Sequence, residues 1–362
     1  MEIAGGRLDR KTLEKRVGHL SQIGGTRHYE LTEGRSRGVR AIDFDTGAGF
    51  AFTVAPDRGM DISRAAWRGV NLAYHGPSGE THPAYYDARG TEWLRGFFAG
   101  LVTTCGLTYL GAPCVDQGRE LGLHGRVSHT PARQVCDLSG WRDEETYEMK
   151  VSGVVEDAVI YGDKLRLTRT IRAALGAKSL HIEDVVENFG SATSPLTIVY
   201  HVNAGFPLLD DGAELAIAAK ECKPYDAESE KRFDERFRFT GPQADCAEGN
   251  FQYSGLGDKI GRVQAALINR NLMGGLGLYL RWDARELPWF NEWKMMGEGE
   301  YVVGIEPGNV PVNRRSVLRE RGQLAFLEPG ETRRFGLEIG VLVGDAEIEG
   351  FAREVQAQAA GK

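Results

Sequence analysis

No run in this chain is long and apolar enough to span a bilayer. The first residues, Met1-Glu2-Ile3-Ala4-Gly5-Gly6-Arg7, contain no apolar signal core. Cysteine is scarce, five in 362 residues, and no two form a Cys-x-x-Cys pair. That excludes a disulfide framework and the familiar zinc spacings, and an odd count in a long chain fits reduced thiols. There is no basic run either. The arginines are scattered among acids and the formal net charge is −7, which argues against a nucleic-acid-binding face. The expectation is a cytoplasmic protein with neither membrane nor nucleic acid as partner. Repeats, low-complexity tracts and clear linkers are also missing. With 41% hydrophobic residues the chain can bury a large core. Antiparallel β domains absorb such lengths as one unit, so we expect a single domain over 1–362, with its core at about 36–340.

What is present is mostly strand pattern. Asp9 to Gln22 is the helix expected in the N-terminal half, with Asp9 as cap and Leu13, Val17 and Leu20 on one face. Thereafter apolar and polar residues alternate, as in Gly38–Phe44 and Phe50–Val54 around the turn Asp45–Gly49. Pro56–Ile62 is a turn in which Arg58 and Asp61 either brace each other or face a site. The loop from His75 to Arg89 is long for a structureless connection, as site walls often are; Tyr85 and Tyr86 in it either stack on a sugar or anchor the loop. Gly100–Cys105 reads as a buried strand with Cys105 in the core. Four alternating segments follow: 132–137, 146–156, 164–174 and 179–188. Turn residues separate them every ten or so positions, as in an antiparallel sandwich or barrel. Residues 211–260 are polar and weakly periodic, and read as a loop excursion around Pro224 to Pro242. In 287–296, Trp289, Phe290 and Trp293 serve either as a stacking wall or as core. The Ala-rich tail ends in a short amphipathic helix.

Three stretches carry candidate chemistry. The first is Tyr301-Val302-Val303-Gly304-Ile305-Glu306-Pro307-Gly308-Asn309-Val310-Pro311. An apolar β-prone run delivers Glu306 to what reads as a strand end, where Pro, Gly, Asn and Pro force an irregular loop. Glu306 is then either an ordinary surface residue or a general base. The second is Leu121-Gly122-Leu123-His124-Gly125-Arg126. Its glycines let backbone or substrate approach His124 closely, although such a His is equally a structural one. The third is Tyr200-His201-Val202-Asn203, where His201 and Asn203 share one face of a buried-looking strand and need partners, from protein or ligand. His124 and His129, five apart, match no strong metal signature.

Leu123-His124-Gly125, Tyr200-His201-Val202-Asn203 and Gly304-Ile305-Glu306-Pro307, in this order and rough spacing, resemble the aldose 1-epimerases (galactose mutarotases). The resemblance spans residues 36 to 340. It is to a divergent branch marked by Asp57-Arg58-Gly59-Met60-Asp61 and Thr103-Thr104-Cys105-Gly106-Leu107. It implies a mainly β fold, a large antiparallel β-supersandwich with a short N-terminal helix, and an isomerase acting on a sugar or sugar derivative with no cofactor and no metal. By the resemblance Glu306 is the general base, His201 the general acid, and His124 assists near the ring oxygen. Opposite charges on Glu306 and His201 would stabilise each other's ionised forms. Asn203, Arg126, Arg58 and Asn309 are the expected holders of sugar hydroxyls, and Arg126 is the expected partner of any carboxylate or sulfonate on an acidic sugar. Two alternatives stay open. One is an isomerase, epimerase or lyase on a keto-sugar or sugar acid, with a divalent metal through His75, His124 or His201. The other is a non-catalytic carbohydrate-binding protein. A homodimer is a further expectation.

Overall fold

The alternation read across residues 131–190 becomes the antiparallel strands Arg133–Asp137, Tyr147–Ala158, Lys164–Ala174 and Ser179–Asn188. In the last three, every second side chain is buried and its neighbours are half-buried or exposed. That is a sheet with one face on a core and the other in water. The computed structural model describes residues 1–3 and 6–359. Among these, the same sheet continues through Thr332–Val343, Leu276–Asp283, Arg262–Asn269 and Glu214–Ile217.

A second, larger antiparallel sheet packs against it. Its order is Ala219–Pro224, Gly249–Leu256, Trp289–Gly297, Glu300–Gly308, Ser194–Gly205, Val102–Leu107, Asp61–Trp67, Phe50–Ala55, Arg40–Asp45 and Gly25–Glu30. Between the sheets lies one continuous core, in which Val151, Leu167, Ile171 and Ile182 meet Ile198, Tyr200, Val202, Val303 and Ile305. Unlike the first sheet, the centre of the second is buried on both faces: every residue of Ser194–Gly205 is buried. Its outer face is covered by the connections at 75–130 and 309–324. There Trp93, Cys105, Leu110, Val199, Val310 and Leu318 form a separate apolar cluster, which places Cys105 in a core as expected.

A charged ladder crosses the core. Arg169, fully buried, donates from Nε and Nη2 to Asp184 (2.9 and 2.7 Å) and from Nη1 to Asp61 (2.7 Å). The Tyr200 hydroxyl donates to Asp184 (2.7 Å), and Asp61 accepts from the Thr104 amide (2.9 Å) and hydroxyl (2.6 Å). Each buried charge therefore faces an opposite one and keeps its hydrogen bonds, the condition for tolerating ions in an apolar interior.

Three local expectations change. The helix expected over 9–22 stops early. Asp9 caps it, accepting from the Thr12 amide at 2.7 Å, but the α-helix is Arg10–Glu14 and a separate 3-10 turn covers Leu20–Gln22. A five-residue helix has little cooperativity, and Gly18 interrupts the rest. Residues 211–260 supply the strands Glu214–Ile217, Ala219–Pro224 and Gly249–Leu256. Two of these are edge strands, whose water-facing sides carry polar residues that blur the alternation. The tail forms the helix Asp345–Ala359, which buries Ile348, Phe351 and Val355 on the outer face of the first sheet. No helix among the described residues is long and apolar enough to cross a membrane.

Candidate active site

Side chains alternate across the larger sheet, so each central strand sends one set inward and the other outward. From Ser194–Gly205 the inward Tyr200 reaches Asp184, and the outward His201 meets the loops. From Glu300–Gly308, Val303 and Ile305 enter the core while Val302 and Glu306 face outward. From Trp289–Gly297 the outward residues are Asn291, Trp293 and Met295. These converge on the floor of a cleft of about 590 Å³ that His124, Trp93, Phe97 and Tyr225 help to wall.

The three motif residues thus meet. His201 Nε2 lies 3.2 Å from Glu306 Oε1, with both side chains nearly inaccessible. The His124 and His201 rings are perpendicular, their centres 5.9 Å apart. Phe97 and Trp293 close on His201 edge-on at 5.5 and 5.3 Å. Asn291 donates from Nδ2 to Glu306 Oε2 at 2.9 Å. Glu306 Oε1, His124 Nδ1, His201 Nδ1 and Trp93 Nε1 are buried with no hydrogen-bond partner among the described residues. Buried polar atoms are rarely left so, except where a ligand or water completes them.

Glu306 does not sit at a strand end. The ladder runs on through Pro307 and Gly308, and Glu306 pairs with Asn291 inside it. A mid-ladder position places the carboxylate more rigidly than a loop would. It also buries it, and burial dominates the electrostatics. Burial pushes Glu306 up to about 8, against the opposing pull of the Asn291 hydrogen bond. Burial pushes His201 down to about 3, with His124 adding to the effect, and pushes His124 down to about 4. Mutual stabilisation of two charges, expected from residue types, is outweighed by the cost of desolvating both. The pair rests neutral around pH 7.

Two glycines make room for this. A Cβ on Gly304 would lie 2.2 Å from Glu306 Oε1 and 3.2 Å from His201 Cε1. Gly304→Ala therefore displaces the carboxylate, and a misplacement of this size costs a catalyst roughly 10²-fold; rate and melting temperature measured together separate that effect from unfolding. Gly125, at φ +82°, has no space for a side chain, since a Cβ would lie 2.1 Å from the Gly106 carbonyl. That close approach fixes the turn holding His124, itself at φ +55°.

The four expected hydroxyl-holding residues do not line the cleft. Arg58 is fully buried and donates to the carbonyls of Ser128 (2.7 Å), Thr81 (2.9 Å) and Gly96 (2.7 Å). It braces the loops, but not through Asp61, which belongs to Arg169. Asn203 donates to the carbonyls of Ala99 (3.1 Å) and His201 (2.8 Å). Asn309 accepts from the Ile198 amide and donates to the Leu196 carbonyl. Arg126 lies beside Tyr86, Tyr109 and Asp157. In each case local backbone or side-chain groups engage the polar head before a ligand could. Tyr86 stacks on His129, with ring centres 4.4 Å apart, and its hydroxyl donates to the Gly125 carbonyl, anchoring the loop. Of the aromatic trio, only Trp293 faces the cleft; Phe290 stacks on Trp282 in the core. His75 accompanies Asn71 outside the cleft lining (3.1 Å). Among the described residues, no three His, Cys, Asp or Glu side chains gather as metal ligands would.

Asn291, Trp93, Phe97 and Glu248 also reach the cleft, and they lie outside the three sequence motifs. Asn291 had one available signal, its place two residues before Trp293 on the same strand face.

A family model described as a domain of unknown function, DUF4432, matches residues 36–341. No curated protein matches the sequence. Similar folds occur among solved structures. A Klebsiella pneumoniae protein named as a candidate aldose 1-epimerase aligns with a TM-score of 0.86 at 23% identity, over 96% of this chain and 94% of that one. A galactose mutarotase-like protein from Clostridium acetobutylicum gives a TM-score of 0.64 at 13% identity, over 89% and 99%. A galactose 1-epimerase from Lactobacillus acidophilus gives 0.56 at 14%, over 89% and 100%. The two antiparallel sheets are those of the galactose mutarotase-like β-sandwich, and with more than three-quarters of its length inside the matching model, this chain belongs to the DUF4432 family.

Proposed function

We propose that the cleft interconverts the anomers of a sugar, as an aldose 1-epimerase does, with Glu306 and His201 as its proton-transfer pair. The observation that carries this reading is the 3.2 Å approach of the two groups on the floor of an aromatic-walled cleft. Names of similar solved structures support the same chemistry class.

Anomerisation removes the C1 hydroxyl proton and adds a proton to the ring oxygen. The C1–ring oxygen bond breaks as the C1 carbonyl forms, the C1–C2 bond rotates, and the ring closes on the other face. The resting pair holds one exchangeable proton. In the reactive arrangement that proton sits on His201, the general acid, and leaves Glu306 as the base. His124, neutral and unpartnered at Nδ1, steadies the ring oxygen. In an apo cleft such contacts are often loosely aligned and tighten on substrate. Asn291 and Asn203 act as positioning residues, one on the carboxylate and the other on the His201 strand.

The pH dependence tests the one-proton state. Glu306 is held up near 8, so below that pH the pair keeps its proton, and above it the proton is lost and no acid remains. Exchange-detected NMR should show acceleration over buffer that is steady around neutrality and falls as pH rises through about 8. The apparent value belongs to the pair rather than to either residue. Acceleration that climbs through this range would instead indicate a lone carboxylate base and sink the paired mechanism.

A further inference from the structure

We infer that the cleft selects a sugar bearing a positive charge, an amino sugar, over a neutral one, and a neutral one over an acidic or phosphorylated one. This rests on the reading of the cleft as a sugar site and names the substrate class. Two exposed carboxylates, Glu248 and Glu300, line its rim, and the neutral carboxyl of Glu306 lies on its floor. Among the described lining residues there is neither arginine nor lysine.

The rim carboxylates are placed rather than scattered. Glu248 accepts from the Trp293 indole N–H at 2.8 Å, which aims it along the cleft wall. Its charge is felt by Glu306. Glu300 follows Gly299, whose carbonyl accepts from the Tyr74 hydroxyl at 3.0 Å, and its charge is felt at Tyr74. Trp93, Phe97, Trp293 and Tyr225 line the same cleft. Aromatic walls with carboxylates at their margins attract an ammonium through ring quadrupoles and charge together. An anionic sugar would meet the two rim carboxylates and none of the basic donors that recognise carboxylate or phosphate.

The buried, unpartnered atoms give the cleft polar groups that a ligand can satisfy. Glu306 Oε1 and Trp93 Nε1 belong to side chains only 2% exposed and lack hydrogen bonds. The Glu306 carboxyl can donate or accept and the Trp93 indole donates, as the hydroxyls of a sugar require.

Calorimetric titration of the full chain with glucosamine, glucose and glucuronate, in mildly acidic low-salt buffer, tests the order. Glucosamine should bind roughly threefold to tenfold more tightly than glucose, the range two rim ion pairs supply, and glucuronate should bind more weakly than glucose. The amine preference should shrink in the Glu248→Gln/Glu300→Gln double variant and with added salt. Gln keeps an oxygen to accept from Trp293, and a thermal melt confirms that the variant folds. Glucuronate binding as tightly as glucosamine, an amine preference unmoved by the double variant, or no binding of any of the three would overturn the inference. Should no sugar exchange anomers faster than its buffer control, anomerisation fails while the measured affinities still decide charge selection.

Discussion

Replacing Glu306 by Gln lowers protein-dependent anomer exchange by roughly 10²–10⁴-fold, the usual contribution of a general acid–base group, while the fold survives. Gln has the same shape and keeps an oxygen for the Asn291 amide, which now reaches Glu306 Oε2 at 2.9 Å. It is also neutral at every pH. The carboxyl it replaces rests protonated at neutrality because burial holds its pKa near 8. The sign for stability follows. A carboxyl raised in the folded state favours folding while protonated, and that advantage is lost as pH rises through the folded value. Glu306→Gln should therefore melt like the parent only below about pH 4.5, gain an increasing advantage in melting temperature as pH rises from there to about 8, and keep that advantage above it. Lost exchange with a retained or raised melting temperature is the signature of a catalytic group. Exchange at the parental rate would remove Glu306 from the mechanism, and His201→Asn, measured beside it, reports on the other half of the pair.

Arg169→Met should destabilise the protein by about 3–5 kcal/mol, as breaking a buried ion pair from one side does. The guanidinium is wholly buried between Asp61 and Asp184 and is the cation that both contact. Without it two carboxylates remain in the core, Asp184 accepting from the Tyr200 hydroxyl and Asp61 from the Thr104 amide and hydroxyl. Urea unfolding measures the loss. Neutralising both acids in the same background, by Asp61→Asn and Asp184→Asn, should recover much of it, since a fully neutral replacement is often well tolerated. A parental unfolding midpoint in Arg169→Met would refute the account. The ladder also stands behind the cleft: Tyr200 precedes His201, and Thr103, beside Thr104, pairs with His201 across the strands.

The sequence by itself determined the strands of the regular sheet and singled out three motif residues as candidates, which the resemblance to the aldose 1-epimerases joined into one site. Alternation with period two is a local property: Lys164–Ala174 and Ser179–Asn188 can be read at almost their final bounds because one face of each meets water. His124, His201 and Glu306 stood out for a similar reason, as polar residues placed in glycine-rich or apolar surroundings. The tertiary structure decided everything that depends on what lies opposite. It put Glu306 inside a ladder rather than at its end, because the strand Trp289–Gly297 pairs past Pro307. It left Arg58, Asn203 and Asn309 holding backbone groups, because those carbonyls and amides lie nearer than the cleft. Asn291, Trp93 and Phe97 joined the site across long sequence separations that no local pattern records. Burial of the Glu306–His201 pair reversed the charge states expected from residue type. Desolvation depends on every atom packed around a group, and only the assembled fold specifies those atoms.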